Sequence, residues 1–297
     1  MIYVIFNGRL GNNMFQLAAA KTLDPDVQVI ALTQNCVDNI KLFADSFFEN
    51  LKVLSSIPNN VKIYKEVDYS YNPISYNQNE NLILEGYFQS EKYIDKKVAL
   101  QLFQMPEFVK SDIETLFGEI LSNNDVIGIN VRRGDYLNLP HKHPFCGLKF
   151  FNKAISYFGK DKKYIISSDD ITWCKKHFIG SNFVFVENSY PLLDLFVQTV
   201  CKHNIISNSS FSWWGAYLNP NPEQIIIAPK RWYGIDLTYL NTKDLYTTNM
   251  VQIDCSSSLG QRIYAKTLSC KDLVNKYLYE YPLEWIKRNM LTIRIRS

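Results

Sequence analysis

Apolar residues recur along this chain in two alternating rhythms. Short β-branched or aromatic runs are separated by longer segments with helical spacing, the pattern of strands and helices in turn. In the first half the runs Ile2–Phe6, Val27–Leu32, Val61–Tyr64 and Leu82–Leu84 read as strands. Helices are expected over about Asn12–Leu23, Asn35–Leu54 (becoming irregular), Glu91–Phe103 and Pro106–Leu121. The polar cluster Ser122-Asn123-Asn124-Asp125 marks a boundary, and the alternation restarts beyond it. Strands are expected at Val126–Val131, Tyr164–Ile166, Phe183–Val186, Asn204–Ile206 and, as the final one, Gln224–Ala228. The helices between them fall at Leu148–Phe158, Ile171–His177, Pro191–Lys202 and Phe211–Leu218. Strands joined by helices of this length imply βαβ units and parallel sheets. The expected architecture is therefore α/β with two Rossmann-type domains, residues 1–122 and 123–239, followed by a helical extension over 240–297. Ligands are expected in a cleft between the two domains, outside the carboxyl ends of the strands.

Composition narrows the class. The chain has 297 residues, 46% hydrophobic and 21% charged, which gives it core enough to fold and excludes a disordered polymer. A net charge of +3 is too mild for a protein whose main partner is nucleic acid, but it suits a small acidic ligand in one basic pocket. Arginine is scarce: Arg9, Arg132 and Arg133 alone precede Arg231. In a lysine-rich chain those three merit scrutiny, because the planar guanidinium fork suits bidentate phosphate or carboxylate binding. Six cysteines without a CxxC point to reduced thiols. Met1 leads directly into the first strand and no apolar stretch approaches membrane-spanning length, so a cytoplasmic protein is expected.

Four polar clusters follow predicted strands. The first, Asn7-Gly8-Arg9-Leu10-Gly11-Asn12-Asn13, combines glycines that admit close backbone approach with the N-terminus of a helix. A plain tight turn would need neither Arg9 nor Asn12. The second, Asn130-Val131-Arg132-Arg133-Gly134-Asp135-Tyr136, ends a buried strand. Adjacent side chains of a strand face opposite ways, so one arginine should enter the cleft and the other should be anchored by a carboxylate, with Asp135 the nearest. The third, Ser167-Ser168-Asp169-Asp170, contains more polar residues than one helix cap requires. The fourth, Ser207-Asn208-Ser209-Ser210-Phe211-Ser212-Trp213-Trp214, offers hydroxyls and helix N-terminal amides as a phosphate cradle, with the tryptophans read as packing. Together the clusters describe a pyrophosphate pocket neutralised by protein groups rather than by a metal.

Other features carry less. Asp24-Pro25-Asp26 could hold a metal in a nucleotide-sugar enzyme but reads as a turn, and His141-Lys142-His143 reads as a loop. The segment from Trp285 to Ser297, with Lys287, Arg288, Arg294 and Arg296, is a solvated face by default or, alternatively, a weak peripheral contact with anionic lipid. No GxGxxG or P-loop pattern is present.

The ordered motifs Gly8–Gln16, Gly86–Tyr93, Asn130–Tyr136, Ser168–Trp173 and Ser207–Trp214 resemble those of glycosyltransferase family 11, the α-1,2-fucosyltransferases. The resemblance runs to about residue 235 and implies a GT-B-like fold with GDP-β-L-fucose as donor. It also implies a galactose-terminated acceptor fucosylated on its 2-hydroxyl, no metal or other cofactor, and work in surface-polysaccharide assembly. By the same resemblance Arg132 meets the β-phosphate, with Arg133 and Asp135 in support. Arg9, Gly11 and Asn12 lie near the pyrophosphate and acceptor, Asp169 and Asp170 border the donor, and Ser209, Ser210 and Ser212 bind phosphate. Asp194, sixteen residues before Ser210, reads the guanine edge. Two positions depart from the family pattern: Asn130 stands where His is usual and Asn13 where Gln is usual. The acceptor's proton could pass to Asp135, Asp169, Asp170 or the leaving phosphate. A metal-dependent transferase using Asp24 and Asp26, and a non-catalytic glycan-binding module, are the competing readings.

Overall fold

A computed structural model describes residues 1–122, 125–255 and 259–275. The first half runs β1 (Ile2–Ile5), α1 (Leu10–Leu23), β2 (Val27–Ile30), α2 (Gln34–Leu42), β3 (Lys52–Leu54), β4 (Lys62–Lys65), β5 (Leu82–Glu85), α3 (Lys96–Leu102) and α4 (Glu107–Leu121). The second continues with β6 (Val126–Val131), α5 (Leu148–Phe158), β7 (Lys163–Ser168), α6 (Ile171–His177), β8 (Phe183–Phe185) and α7 (Pro191–Thr199). It ends with β9 (His203–Ile206), α8 (Ser210–Tyr217), β10 (Ile226–Pro229), β11 (Met250–Ile253) and α9 (Leu259–Asn275).

Two parallel sheets result, in the orders β3-β2-β1-β5-β4 and β11-β10-β9-β6-β7-β8. The second is the doubly wound order of a dinucleotide-binding unit, and its direction of winding reverses between β6 and β9. The expected pair of Rossmann-type units is what the chain builds. The two units share a core: Phe15 of α1 packs on Trp213 and Trp214 of α8, with ring centroids 4.5 and 4.9 Å apart. Both tryptophans are fully buried, so their role is packing, as expected. A second apolar cluster, including Phe150, Phe151, Ile166 and Phe178, fills the far face of the second sheet under α5 and α6.

Three differences from the sequence expectation have local causes. The stretch expected as one helix over Glu91–Phe103 is a 3₁₀ turn (Glu91–Tyr93) followed by α3, because Asp95 caps a new start by accepting from Lys97 N at 2.8 Å. Residues 52–54 form an edge strand of three residues, too short and too exposed to show an alternation of its own. Beyond residue 239, where only helix was expected, Met250–Ile253 pairs with Ile226–Pro229. The second sheet therefore continues one strand past Gln224–Ala228. The basic segment 285–297 lies outside the described residues, and among the described residues no helix is long and apolar enough to cross a membrane.

Candidate functional site

Register places the polar clusters. Asn130 of β6 lies opposite Ser167 of β7 on one side and Ile206 of β9 on the other. Arg132 therefore leaves the sheet beside Asp169 and Ser207, at the point where the winding reverses. Its backbone N donates to Ser207 Oγ at 2.9 Å. Its guanidinium is gripped from two sides, Nη2 at 2.8 Å from Asp135 Oδ1 and Nε at 3.2 Å from Asp169 Oδ2. Asp169 turns its other oxygen to the backbone N–H groups of Arg133 (2.8 Å) and Gly134 (3.1 Å), so the carboxylate is itself fixed. The Tyr136 ring lies 5.5 Å from the guanidinium carbon and completes the cradle. An arginine held this way loses little freedom when it meets an anion.

Arg133 points elsewhere. It pairs with Asp170 and lies over the rings of Trp173 (5.0 Å) and Phe145 (5.6 Å). The anchoring carboxylate of the second arginine is thus Asp170, not Asp135. Asp135 instead forms ion pairs with Arg132 and, at 3.3 Å, with Arg9 Nη1 from the other unit, while its Oδ1 is buried and has no hydrogen-bond partner. Asp170 also accepts from Trp173 N at 3.1 Å, so it caps α6 while holding Arg133.

The serine cluster divides. Ser212 is buried and donates to Asn130 Oδ1, while Asn130 Nδ2 donates to Ser167 Oγ at 2.7 Å. Asn130 and Ser212 thereby lock β6, β7 and α8 together in the interior. Ser209 and Ser210 stand at the N-terminus of α8, which no side chain caps. Its free amides face the same end of the sheet as Arg132.

From the first unit, Gly8 takes a left-handed φ of +85°, and a Cβ there would sit 2.3 Å from Asn12 Nδ2, so only glycine fits. Asn12 Oδ1 accepts from Gln89 Nε2 at 2.9 Å. Gly11 serves packing: Trp214 Nε1 donates to its carbonyl at 3.0 Å, and a Cβ would come within 2.5 Å of Phe211 N. Asn13, where the family pattern has Gln, is fully buried and donates to Gln16 Oε1 at 3.1 Å while accepting from Asn39 Nδ2 at 3.3 Å. The shorter side chain is thus satisfied inside the loop's own network.

Asp194 lies in the first turn of α7. Burial pushes its carboxyl up to about 6, and its Oδ1 is a buried atom with no hydrogen-bond partner. A carboxylate with an idle buried oxygen invites a donor.

Glu66 and Tyr233, at these strand ends, gave no sequence signal of their own, and they meet residues of the Gly86–Tyr93 motif. Glu66, immediately after β4, accepts from Tyr87 N (2.7 Å) and Phe88 N (3.2 Å) through Oε2. Phe88 adopts φ +53°, which costs about 1–3 kcal/mol in a non-glycine residue. The Tyr233 hydroxyl, after β10, donates to Gln89 Oε1 at 3.2 Å. His143 lies in a loop, as expected, and stacks on Tyr136 at 5.2 Å. Glu66, Gln89, Tyr233 and His143 are far apart in the chain, and only the shared carboxyl-end geometry brings them together. Asp24 and Asp26 form the turn expected of them, Asp24 Oδ1 accepting from Asp26 N at 2.8 Å. Among the described residues no three His, Cys, Asp or Glu side chains converge as metal ligands would. A cavity of about 700 Å³ lined by Leu100, Phe103, Val126, Phe196 and Leu218 lies at the opposite, amino-terminal end of β6, away from these groups.

The chain is similar to the O-antigen biosynthesis glycosyltransferase WbnK of Escherichia coli, 34% identical over 165 residues, which are 50% of this chain and 55% of that one. It is 32% identical over 181 residues to an α-1,2-colitosyltransferase of Escherichia coli, covering 57% and 61% of the two. It is 28% identical over 103 residues to galactoside α-(1,2)-fucosyltransferase 2 of Sus scrofa, covering 31% and 30%. The chain thus spans little more than half the length of the first two relatives. Among solved structures, NodZ α-1,6-fucosyltransferase of Bradyrhizobium soaked with GDP-fucose aligns with 14% identity and a TM-score of 0.46, over 76% of this chain and 94% of that one. The family model for glycosyl transferase family 11 matches residues 1–254, so the chain belongs to that family of glycosyltransferases.

Proposed function

We propose that this protein transfers L-fucose from GDP-β-L-fucose to the 2-hydroxyl of a terminal galactoside, with inversion to an α-1,2 linkage and without a metal. The observation that carries the reading is the Arg132 guanidinium, fixed by Asp135 and Asp169 at the winding reversal, with Arg9 of the other unit on the same carboxylate. Family membership and relatives named as galactoside α-1,2-fucosyltransferases support the transferred sugar, the galactoside acceptor and the linkage.

In the reaction the acceptor oxygen bonds to the anomeric carbon as the bond from that carbon to the β-phosphate oxygen breaks. The electron pair leaves with GDP, and the acceptor's proton passes to a base. Negative charge grows on the phosphate, where the Arg132 donors and the α8 amides with Ser209 and Ser210 meet it. Asp194 accepts from the guanine N1–H and 2-amino group, which fits its idle oxygen. Asp170 accepts from the Arg133 guanidinium, and Asp135 and Asp169 are ion-paired with Arg132, so the three carboxylates and the leaving phosphate all remain candidates for the acceptor's proton.

A colitosyltransferase among the relatives favours one second reading, in which the donor carries another sugar of the same linkage class. One assay separates these. Purified protein with EDTA is given lactose and GDP-fucose, and the product linkage is assigned by NMR. An α-1,2-fucosyl product supports the proposal. No transfer from GDP-fucose, or transfer abolished by EDTA and restored by a divalent ion, overturns it.

A further inference from the structure

Glu66 stands to β4 as Arg132 stands to β6, the first residues past the carboxyl ends of strands in the two sheets. Gly86 is what lets the carboxylate approach the β5 loop, since a Cβ there would sit 2.8 Å from Glu66 Oε2. Oε2 is saturated by the Tyr87 and Phe88 amides, whereas Oε1 is buried and has no hydrogen-bond partner. A carboxylate so positioned, with one oxygen anchored and the other idle, is built to receive a donor from outside the protein.

What surrounds it is aromatic. Tyr69 meets Tyr87 edge-on at 5.6 Å and Tyr233 at 5.8 Å. Tyr69 and Tyr87 are only half-buried, so their surfaces remain open to a ligand. Tyr233 continues the wall to His143 (6.0 Å), and His143 stacks on Tyr136, the ring that lies against Arg132. Through Gln89 the same Tyr233 is joined to Asn12. An open aromatic surface beside a hydroxyl-seeking carboxylate suits a pyranose, which offers C–H groups on one face and hydroxyls at its rim.

We propose that Glu66, Tyr69 and Tyr87 form the acceptor-sugar subsite, with the buried Tyr233 backing it, in which Glu66 Oε1 accepts a hydrogen bond from a sugar hydroxyl and the open faces of Tyr69 and Tyr87 carry the ring. This rests on the glycosyl-transfer reading above and assigns the half of the substrate that reading leaves without residues. Glu66 here selects and orients the acceptor; the donor contacts lie with Arg132 and its neighbours.

The test is Glu66→Gln, which keeps an oxygen for the Tyr87 and Phe88 amides, alongside Tyr69→Ala. Both variants are first matched to wild type by circular dichroism. Steady-state rates are then measured with GDP-fucose and lactose. Loss of one charge-assisted hydrogen bond predicts a lactose KM about 10- to 100-fold higher in Glu66→Gln. The GDP-fucose KM, and its slow hydrolysis without lactose, should stay within about twofold, because no donor contact is touched. An unchanged lactose KM in both variants, or a GDP-fucose KM rising in step, overturns the subsite while leaving the transfer reaction standing. Saturation-transfer NMR with lactose and methyl β-galactoside reads binding independently of turnover. A wild-type signal lost in Glu66→Gln sustains the subsite even if GDP-fucose proves not to be the donor. No signal from either sugar in wild type overturns it.

Discussion

At the scale of single residues, the site works by giving each charged group more than one obligation. Asp169 holds the Arg132 side chain and two backbone amides at once, so removing its charge should misplace the arginine without removing it. Asp169→Asn is expected to lower kcat about 10-fold or more with little change in lactose KM, read in the same GDP-fucose assay; a kcat equal to wild type would contradict the positioning role. Asp194 makes a different prediction. Its carboxyl is raised from 3.8 to about 6 by burial, so the folded state holds the proton more tightly than the unfolded state does. The resulting stabilisation is full below about pH 4 and is lost as the pH rises through about 6. Asp194→Asn has no such dependence. Between pH 4 and 7 its stability relative to wild type should therefore rise by about 2 kcal/mol in urea unfolding without ligand, while its GDP affinity falls. A flat difference across that range would mean the carboxyl is not desolvated in solution.

At the scale of elements, the first turns of α1 and α8 cross closely enough that Gly11 has no room for a methyl group. A Cβ would press on the Phe211 amide and the Ser210 backbone rather than on a movable side chain. Gly11→Ala should therefore cost about 1–3 kcal/mol and disturb the Trp214 indole bond to the Gly11 carbonyl. Denaturant unfolding followed by tryptophan fluorescence reads both effects, and wild-type stability would show that the two helices stand farther apart. Much at this scale was legible beforehand. Val126–Val131, Leu148–Phe158 and Ile171–His177 fall where their periodicity placed them, because long apolar runs and capped helices announce themselves. Lys52–Leu54 and Met250–Ile253 did not, since a short edge strand draws its stability from a neighbour rather than from its own pattern. The arginines and serines were visible as polar clusters after strands. Their division of labour, Asn130 and Ser212 inward and Arg132 outward, depended on register, which only pairing fixes. Glu66 and Tyr233 were silent because nothing in Lys65-Glu66-Val67 or Trp232-Tyr233-Gly234 distinguishes them from ordinary surface or core positions.

At the scale of the whole molecule, the two Rossmann-type units are joined by a continuous apolar cluster that runs from β1 and α1 through α8 and α7 to β6. The polar site lies over that join, with Arg9 and Arg132 meeting on Asp135. Units that share a core should unfold together, so tryptophan fluorescence and far-ultraviolet circular dichroism are expected to give coincident urea transitions. Two separated transitions would show the units to be independent. The guanidinium at the carboxyl end of β6 is the group on which the proposed transfer depends. Its most direct test is kcat for Arg132→Lys with GDP-fucose and lactose, a substitution that keeps the charge but removes the fork. That kcat should fall about 10²- to 10³-fold, the usual cost of losing a preorganised donor to a developing anion. A kcat within about threefold of wild type, a barrier change under roughly 1 kcal/mol, would contradict it.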